Sequence, residues 1–217
     1  MTAGATLISS ADVINDWTSG ANAIDGGTDG VWQQSGATVV ATGNHQGSLI
    51  SDFSTGGNFS LSVDTRSRDN DLFGLLWGVQ DLSNHYRLSW GLERHDSGTT
   101  GWTSGGGFRI FKEVGGVTTQ LFSSNSTYVM NQDYNLNVTG TGSGFDVMIT
   151  NTTTSASIFN QSITDTTFTS GKVGIHEWYQ GNSNVWSNFD VTAVPGPSTL
   201  AIFGLGLMGF ASRRFKK

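Results

Sequence analysis

The chain has 217 residues, with 30 glycines, two prolines and no cysteine, which excludes a disulfide framework and thiolate chemistry. Only 13% of its residues are charged and 11% are aromatic. That is too few surface Glu, Lys and Arg for a helical bundle, and the aromatic content speaks against disorder. The formal net charge is −6; without the four cations at the C-terminus, 7 cations face 17 anions, so the body carries −10 and lacks the basic face a nucleic-acid partner needs.

Strand signals recur along the body, and helix signals do not. Residues 12–17 and 31–34 are short stretches between Gly, Asn and Asp turns; 37–42 and 48–53 follow with β-branched and apolar residues. From Asn58 to Arg66 the pattern alternates, with Phe59, Leu61 and Val63 on one face and Ser60, Ser62 and Asp64 on the other. Leu72 to Val79 is a continuous apolar run, which predicts a central strand buried on both faces. After a polar loop at 80–84, Tyr86, Leu88 and Trp90 alternate with Arg87 and Ser89. Phe108–Val114 and Val117–Phe122 flank Gly115-Gly116, the sequence of a two-residue primed turn. Residues 133–139, 145–151, 156–163, 172–178 and 185–193 complete the set. About a dozen strands without a helical period predict an all-β sandwich or jelly roll.

The last stretch differs in kind. Pro195-Gly196-Pro197 predicts a joint, because proline forbids helix or sheet through that point. Residues 200–211 are wholly apolar or glycine, with Leu200, Ile202, Phe203, Leu205, Leu207 and Phe210 as the large side chains. Arg213, Arg214, Lys216 and Lys217 then close the chain. A joint, a short apolar helix and a basic stop form the pattern of a C-terminal membrane segment. The positive-inside rule puts the basic end in the cytoplasm and the body across the membrane. Twelve apolar residues rise only ~18 Å, which the long basic side chains help to make up by snorkelling. The G-x-G-x-x-G of Gly204, Gly206 and Gly209 is no dinucleotide fingerprint, since only eight residues follow it. The first residues, MTAGATLISSADVINDW, have neither a basic start nor an apolar run. A chain with this tail is expected to carry a signal peptide, so the sequence is expected to begin downstream of one.

This tail resembles the PEP-CTERM sorting signal of Gram-negative bacteria that make exopolysaccharide. The likeness runs over Val194, Pro195, Gly196 and Pro197, the Gly/Leu-rich apolar run and the Arg213-Arg214 cluster, with Gly196 where the family has glutamate. It implies recognition by an exosortase-type transpeptidase, cleavage near the proline pair and release to the surface or matrix. In the body, Asp69 to Asp81, Asn84 to Trp90, Ser170 to Ile175 and Asn188 to Val191 resemble the thrombospondin C-terminal module. That likeness implies a concanavalin-like jelly roll, calcium binding, and adhesion to matrix and glycans.

Chemistry-bearing patterns are sparse. Glu93, Glu113 and Glu177 are the only glutamates, and none has an aspartate two residues on, so no strand carries the carboxylate spacing of a β-glucanase. His45, His85, His95 and His176 show no zinc spacing, and G-x-S-x-G is absent. Asp69, Asn70 and Asp71 precede the central strand and are the calcium candidates, Asp71 above all, against a plain polar turn. For glycan contact the candidates are Trp102, in a Gly-rich loop with nothing else apolar to pack it, and Trp178, Tyr179 and Trp186 around the polar loop 180–184. Trp77 and Trp90 fall on inward strand positions.

The sequence therefore predicts a concanavalin-like jelly-roll domain over residues 1–193 and a sorting tail with a short apolar helix over 194–217. The function expected is that of an exported, non-enzymatic surface or exopolysaccharide-matrix protein that binds glycan or mediates adhesion. The alternative is a secreted glycoside-active enzyme on the same fold.

Overall fold

The computed structural model describes residues 6–9, 17–20, 31–43, 46–93, 105–178 and 183–193. Trp102, Tyr179 and the whole of 194–217, with the expected apolar helix, lie outside them. Among the described residues no helix is long and apolar enough to cross a membrane.

Among the described residues fifteen strands form two antiparallel sheets. In chain order they are β1 (Thr6–Ser9), β2 (Trp17–Gly20), β3 (Val31–Ser35), β4 (Thr38–Thr42), β5 (Gln46–Ser51), β6 (Asn58–Arg66), β7 (Leu72–Asp81) and β8 (Asn84–Gly91). Then come β9 (Gly107–Val114), β10 (Val117–Ser124), β11 (Asp133–Thr141), β12 (Phe145–Asn151), β13 (Ala156–Ile163), β14 (Lys172–Trp178) and β15 (Val185–Ala193). The eight-stranded sheet runs β13-β12-β11-β6-β15-β4-β3, with β1 also on β15; the seven-stranded sheet runs β10-β9-β8-β7-β14-β5-β2. β1 has no counterpart in the sequence reading; of the stretch expected over 12–17 only Trp17, the first residue of β2, is among the described residues.

The alternation read from the sequence becomes the two faces of these strands. In β6, Phe59, Leu61 and Val63 are buried and their polar neighbours half-exposed. β7, the middle strand of its sheet, is buried from Leu72 to Val79, as its apolar run requires. Between the sheets lies one core that includes Leu61, Val63, Leu75, Leu88, Ile110, Val138, Val147 and Val173. Each such side chain contributes about 1.5–3 kcal/mol by leaving water. Phe73 is packed by aromatic rings on three sides, with Trp90, Tyr128 and Trp186 at 4.9–5.8 Å between centroids. Gly115 and Gly116 take positive φ (58° and 79°) in the turn between β9 and β10, the conformation their sequence predicts.

One polar chain crosses this core. Glu177 is wholly buried and accepts from Trp186 Nε1 and from Asn184 Nδ2 (3.0 Å); the Asn184 carbonyl oxygen accepts from Thr65 Oγ1 (2.8 Å). Burial pushes its carboxyl up to about 8, and the two hydrogen bonds only partly oppose that rise.

Candidate functional site

The outward face of the seven-stranded sheet is built from the residues that alternate with the core. On β8 these are His85, Arg87 and Ser89, and on β9 Arg109, Phe111 and Glu113; β7 adds Leu72, Gly74 and Leu76, and β14 adds Gly174, His176 and Trp178. Strand register sets them in rows: His85 faces Glu113, Arg87 faces Phe111 and Ser89 faces Arg109 across β8 and β9, while His176 lies opposite Gly74 on one side and Ser48 on the other. The Arg87 guanidinium stands 5.2 Å from the centre of the Phe111 ring, a cation–π contact. Leu72, Phe111 and Trp178 form an apolar patch separate from the main core.

These polar side chains are not solvated. His85, Arg87, Ser89, Glu113 and His176 are each at most 2% exposed. Gly74 makes room for the His176 ring, since a Cβ there would lie 2.8 Å from Nε2 and strike the Leu88 carbonyl oxygen. With that room, His176 Nε2 donates to Leu88 O at 2.7 Å, which leaves Nδ1 as a bare acceptor buried without a partner. His85 Nε2 and Glu113 Oε2 are buried 3.8 Å apart, beyond hydrogen-bond reach, and neither has another partner. Burial, with the Arg87 charge added, pulls both histidines down to about 3, so both are neutral at physiological pH. Burial likewise raises the Glu113 carboxyl, against the attraction of Arg87. A buried donor or acceptor left unpaired costs about 1–3 kcal/mol. Three such atoms lie close together in these strands, closed off from solvent.

The sequence-derived aromatics divide. Trp178 borders this face, half-buried against Leu72 and Phe111. Trp186 does not: it is fully buried, its ring edge against Phe73 and its Nε1 bonded to Glu177, so it offers no face to a sugar. Trp77 and Trp90 are in the core, as their inward positions required. The segments that flank the face in sequence, 94–104 with Trp102 and 179–182 with Tyr179, lie outside the described residues. Sequence reading missed His85, Arg87, Glu113 and His176 as a group. The signal available was polar residues on strands whose other face is apolar and whose neighbours are central.

Asp69, Asn70 and Asp71 form a turn before β7. The Asp69 carboxylate accepts from the Asn70 N–H (2.9 Å), and the single Tyr128 Oη proton is shared between the carbonyls of Asp69 (2.8 Å) and Asp71 (2.6 Å). Burial and the charges of Asp69 and Glu93 push the Asp71 carboxyl up to about 6. No group of three or more His, Asp or Glu side chains among the described residues is arranged to hold a metal ion.

Comparison with solved structures gives the class of fold. The chain is similar to the carbohydrate-binding module CBM66 from Bacillus subtilis, with a TM-score of 0.57, 17% identity, and 82% of this chain and 96% of that one covered. It is similar to the exoplasmic/lumenal domain of VIP36 in its Ca2+/Man3GlcNAc-bound form, with a TM-score of 0.60, 11% identity and coverage of 86% and 89%. A xylan β-1,4-xylosidase from Bacillus halodurans also matches, with a TM-score of 0.52 and 12% identity, over 71% of this chain but only 32% of the enzyme. At these identities the matches show the fold alone: an all-β jelly-roll sandwich. The narrower resemblance to the thrombospondin C-terminal module stays an expectation. In the tail, residues 193–216 match the PEP-CTERM protein-sorting motif. No curated protein matches the chain.

Proposed function

We propose that the protein is an exported glycan-binding protein without enzymatic activity, working in the envelope or exopolysaccharide matrix of a Gram-negative bacterium. Its sorting motif implies export and processing by an exosortase-type transpeptidase. Membrane anchoring before processing, with the body on the periplasmic side, follows from the basic tail end. The observation that carries glycan binding is the outward face of the seven-stranded sheet. Its unpaired His176 Nδ1, His85 Nε2 and Glu113 Oε2 are closed off from solvent, so binding requires this face to open; a hydroxyl-rich ligand that reached them would both donate and accept. An aromatic rim at Trp178 suits the apolar face of a sugar ring. A glycosidase needs two carboxyl groups about 5–10 Å apart. At this face Glu113 is buried, and the nearby Asp81 carboxylate at the end of β7 is engaged by the Ser83 N–H and the Asn84 amide, so neither is set up as one of a catalytic pair.

Trp178→Ala and Trp102→Ala test this reading. Loss of a stacking platform is expected to weaken glycan binding by about 1–3 kcal/mol each, roughly five- to 150-fold in Kd. Denaturant melts run beside the isotherms separate lost contact from lost folding. Unchanged affinity in both variants would remove the aromatic rim from the reading.

Calcium belongs to the same proposal. A divalent cation would relieve the crowding of Asp71 by Asp69 and Glu93. Millimolar calcium is then expected to raise the melting temperature, and Asp71→Ala to abolish the rise. Identical melts with calcium and with chelator would take the metal out.

A further inference from the structure

The opposite outward face, that of the eight-stranded sheet, carries a groove where the ends of β6, β11 and β15 lie side by side. It has a volume of about 480 Å³ and is lined by Asp64, Arg66, Arg68, Asp133, Ser187 and Asn188 among others. That size falls in the range of small-molecule sites, roughly 300–1,000 Å³. Its polar groups are fixed from a rigid floor. Arg66 and Asp133 are partners in the β6–β11 register, and the guanidinium donates to both carboxylate oxygens, Nε to Oδ1 at 2.6 Å. Each Asp64 oxygen accepts one amide: Oδ1 from Asn135 Nδ2 and Oδ2 from Asn188 Nδ2, both at 2.7 Å.

The Asn188 bond depends on a local distortion. Between Ser187 and Asp190, β15 holds one more residue than the stretch of β6 it pairs with, a β-bulge, and Asn188 takes φ 51°. Asparagine bears the left-handed region better than most residues, but the conformation still costs energy and the side chain is exposed, so core packing does not compensate. Pairing with β4 is confined to Trp186 and Ser187, just before the bulge. The distortion re-aims an amide beside a carboxylate at the edge of a groove, as bulges next to ligand sites do.

We infer that this groove is a second saccharide site and takes a neutral sugar. Two carboxylates and two guanidiniums cancel, so the lining offers no net charge to an ionic ligand. It offers acceptors at Asp64, amide donors at Asn188 and guanidinium donors at Arg68, the pairing that adjacent sugar hydroxyls use. Glycan sites on the two outer faces of one sandwich make a single chain bivalent, able to bridge two polysaccharide strands. This inference rests on the glycan-binding reading, with which it shares the ligand class but not the residues.

The experiment is calorimetric stoichiometry on the full chain, with short dextran, mannan, galactan and fructan oligosaccharides as probes. The wild-type protein is expected to bind two oligosaccharides per chain. Asn188→Gly combined with Arg68→Ala relieves the backbone and removes exposed donors, and it is expected to reduce two sites to one of unchanged affinity. Trp178→Ala is expected to weaken only the site that this double variant keeps. A wild-type stoichiometry of one, untouched by the double variant and weakened by Trp178→Ala, overturns the groove and leaves the first site standing. Complete loss of binding in the double variant, with none in Trp178→Ala, overturns the first site and keeps the groove. No binding of any probe by the wild type overturns both.

Discussion

Above about pH 6.5 the melting temperature is expected to fall steadily to about pH 8, and Glu177→Gln is expected to remove most of that fall. Glu177 titrates near its ordinary 4.5 when unfolded and at about 8 in the fold. Between those values the folded state keeps a proton that the unfolded state has shed. Its contribution is whole below about 4.5 and is lost progressively as pH rises to about 8. The stretch from about 6.5 to 8 corresponds to roughly 2 kcal/mol, about 4–8 °C for a chain of this size. The two buried histidines act on the other side: their depressed pKa values make a contribution present above about 6.5 and lost as pH falls toward about 3. Stability is thus expected to peak near pH 6.5. Glutamine keeps the acceptor that Trp186 and Asn184 need, so the variant should fold and show a flat alkaline limb. A wild-type limb that is flat, or one that falls equally in the variant, would place the proton elsewhere.

Deleting Val194–Lys217 is expected to change where the protein is found. Six large apolar side chains between Leu200 and Phe210 each favour the bilayer by about 0.3–0.6 kcal/mol on insertion scales, and in the proposed orientation Arg213, Arg214, Lys216 and Lys217 would face the cytoplasm. In a host that supplies an N-terminal signal but no exosortase, the full chain is expected in the membrane fraction and the truncated chain in the soluble exported fraction. Membrane retention without the tail would contradict the assignment of this segment as the anchor.

Much of the fold was legible because its signals are local. Phe59, Leu61 and Val63 alternate, LFGLLWGV is continuous and Gly115-Gly116 prescribes a turn; each needs only near neighbours. Trp186 was misread for a physical reason. The bulge at 187–190 breaks the two-residue period, so Trp186, Phe189 and Val191 face inward together and no clean alternation reveals it. The polar face was hidden differently. His176 meets Ser89 and Leu88 only because β14 pairs with β7, a contact between residues more than 80 positions apart. Arg87 and Ser89 read as ordinary outward positions, and nothing local says that they are buried.

The outward face of the seven-stranded sheet is the proposed glycan-binding surface. Backbone amide shifts recorded while a bound oligosaccharide is titrated test it most directly. Progressive shifts are expected at His85, Arg87 and Ser89 of β8, Arg109 to Glu113 of β9 and His176 to Trp178 of β14. A titration that saturates while these amides stay still would contradict it.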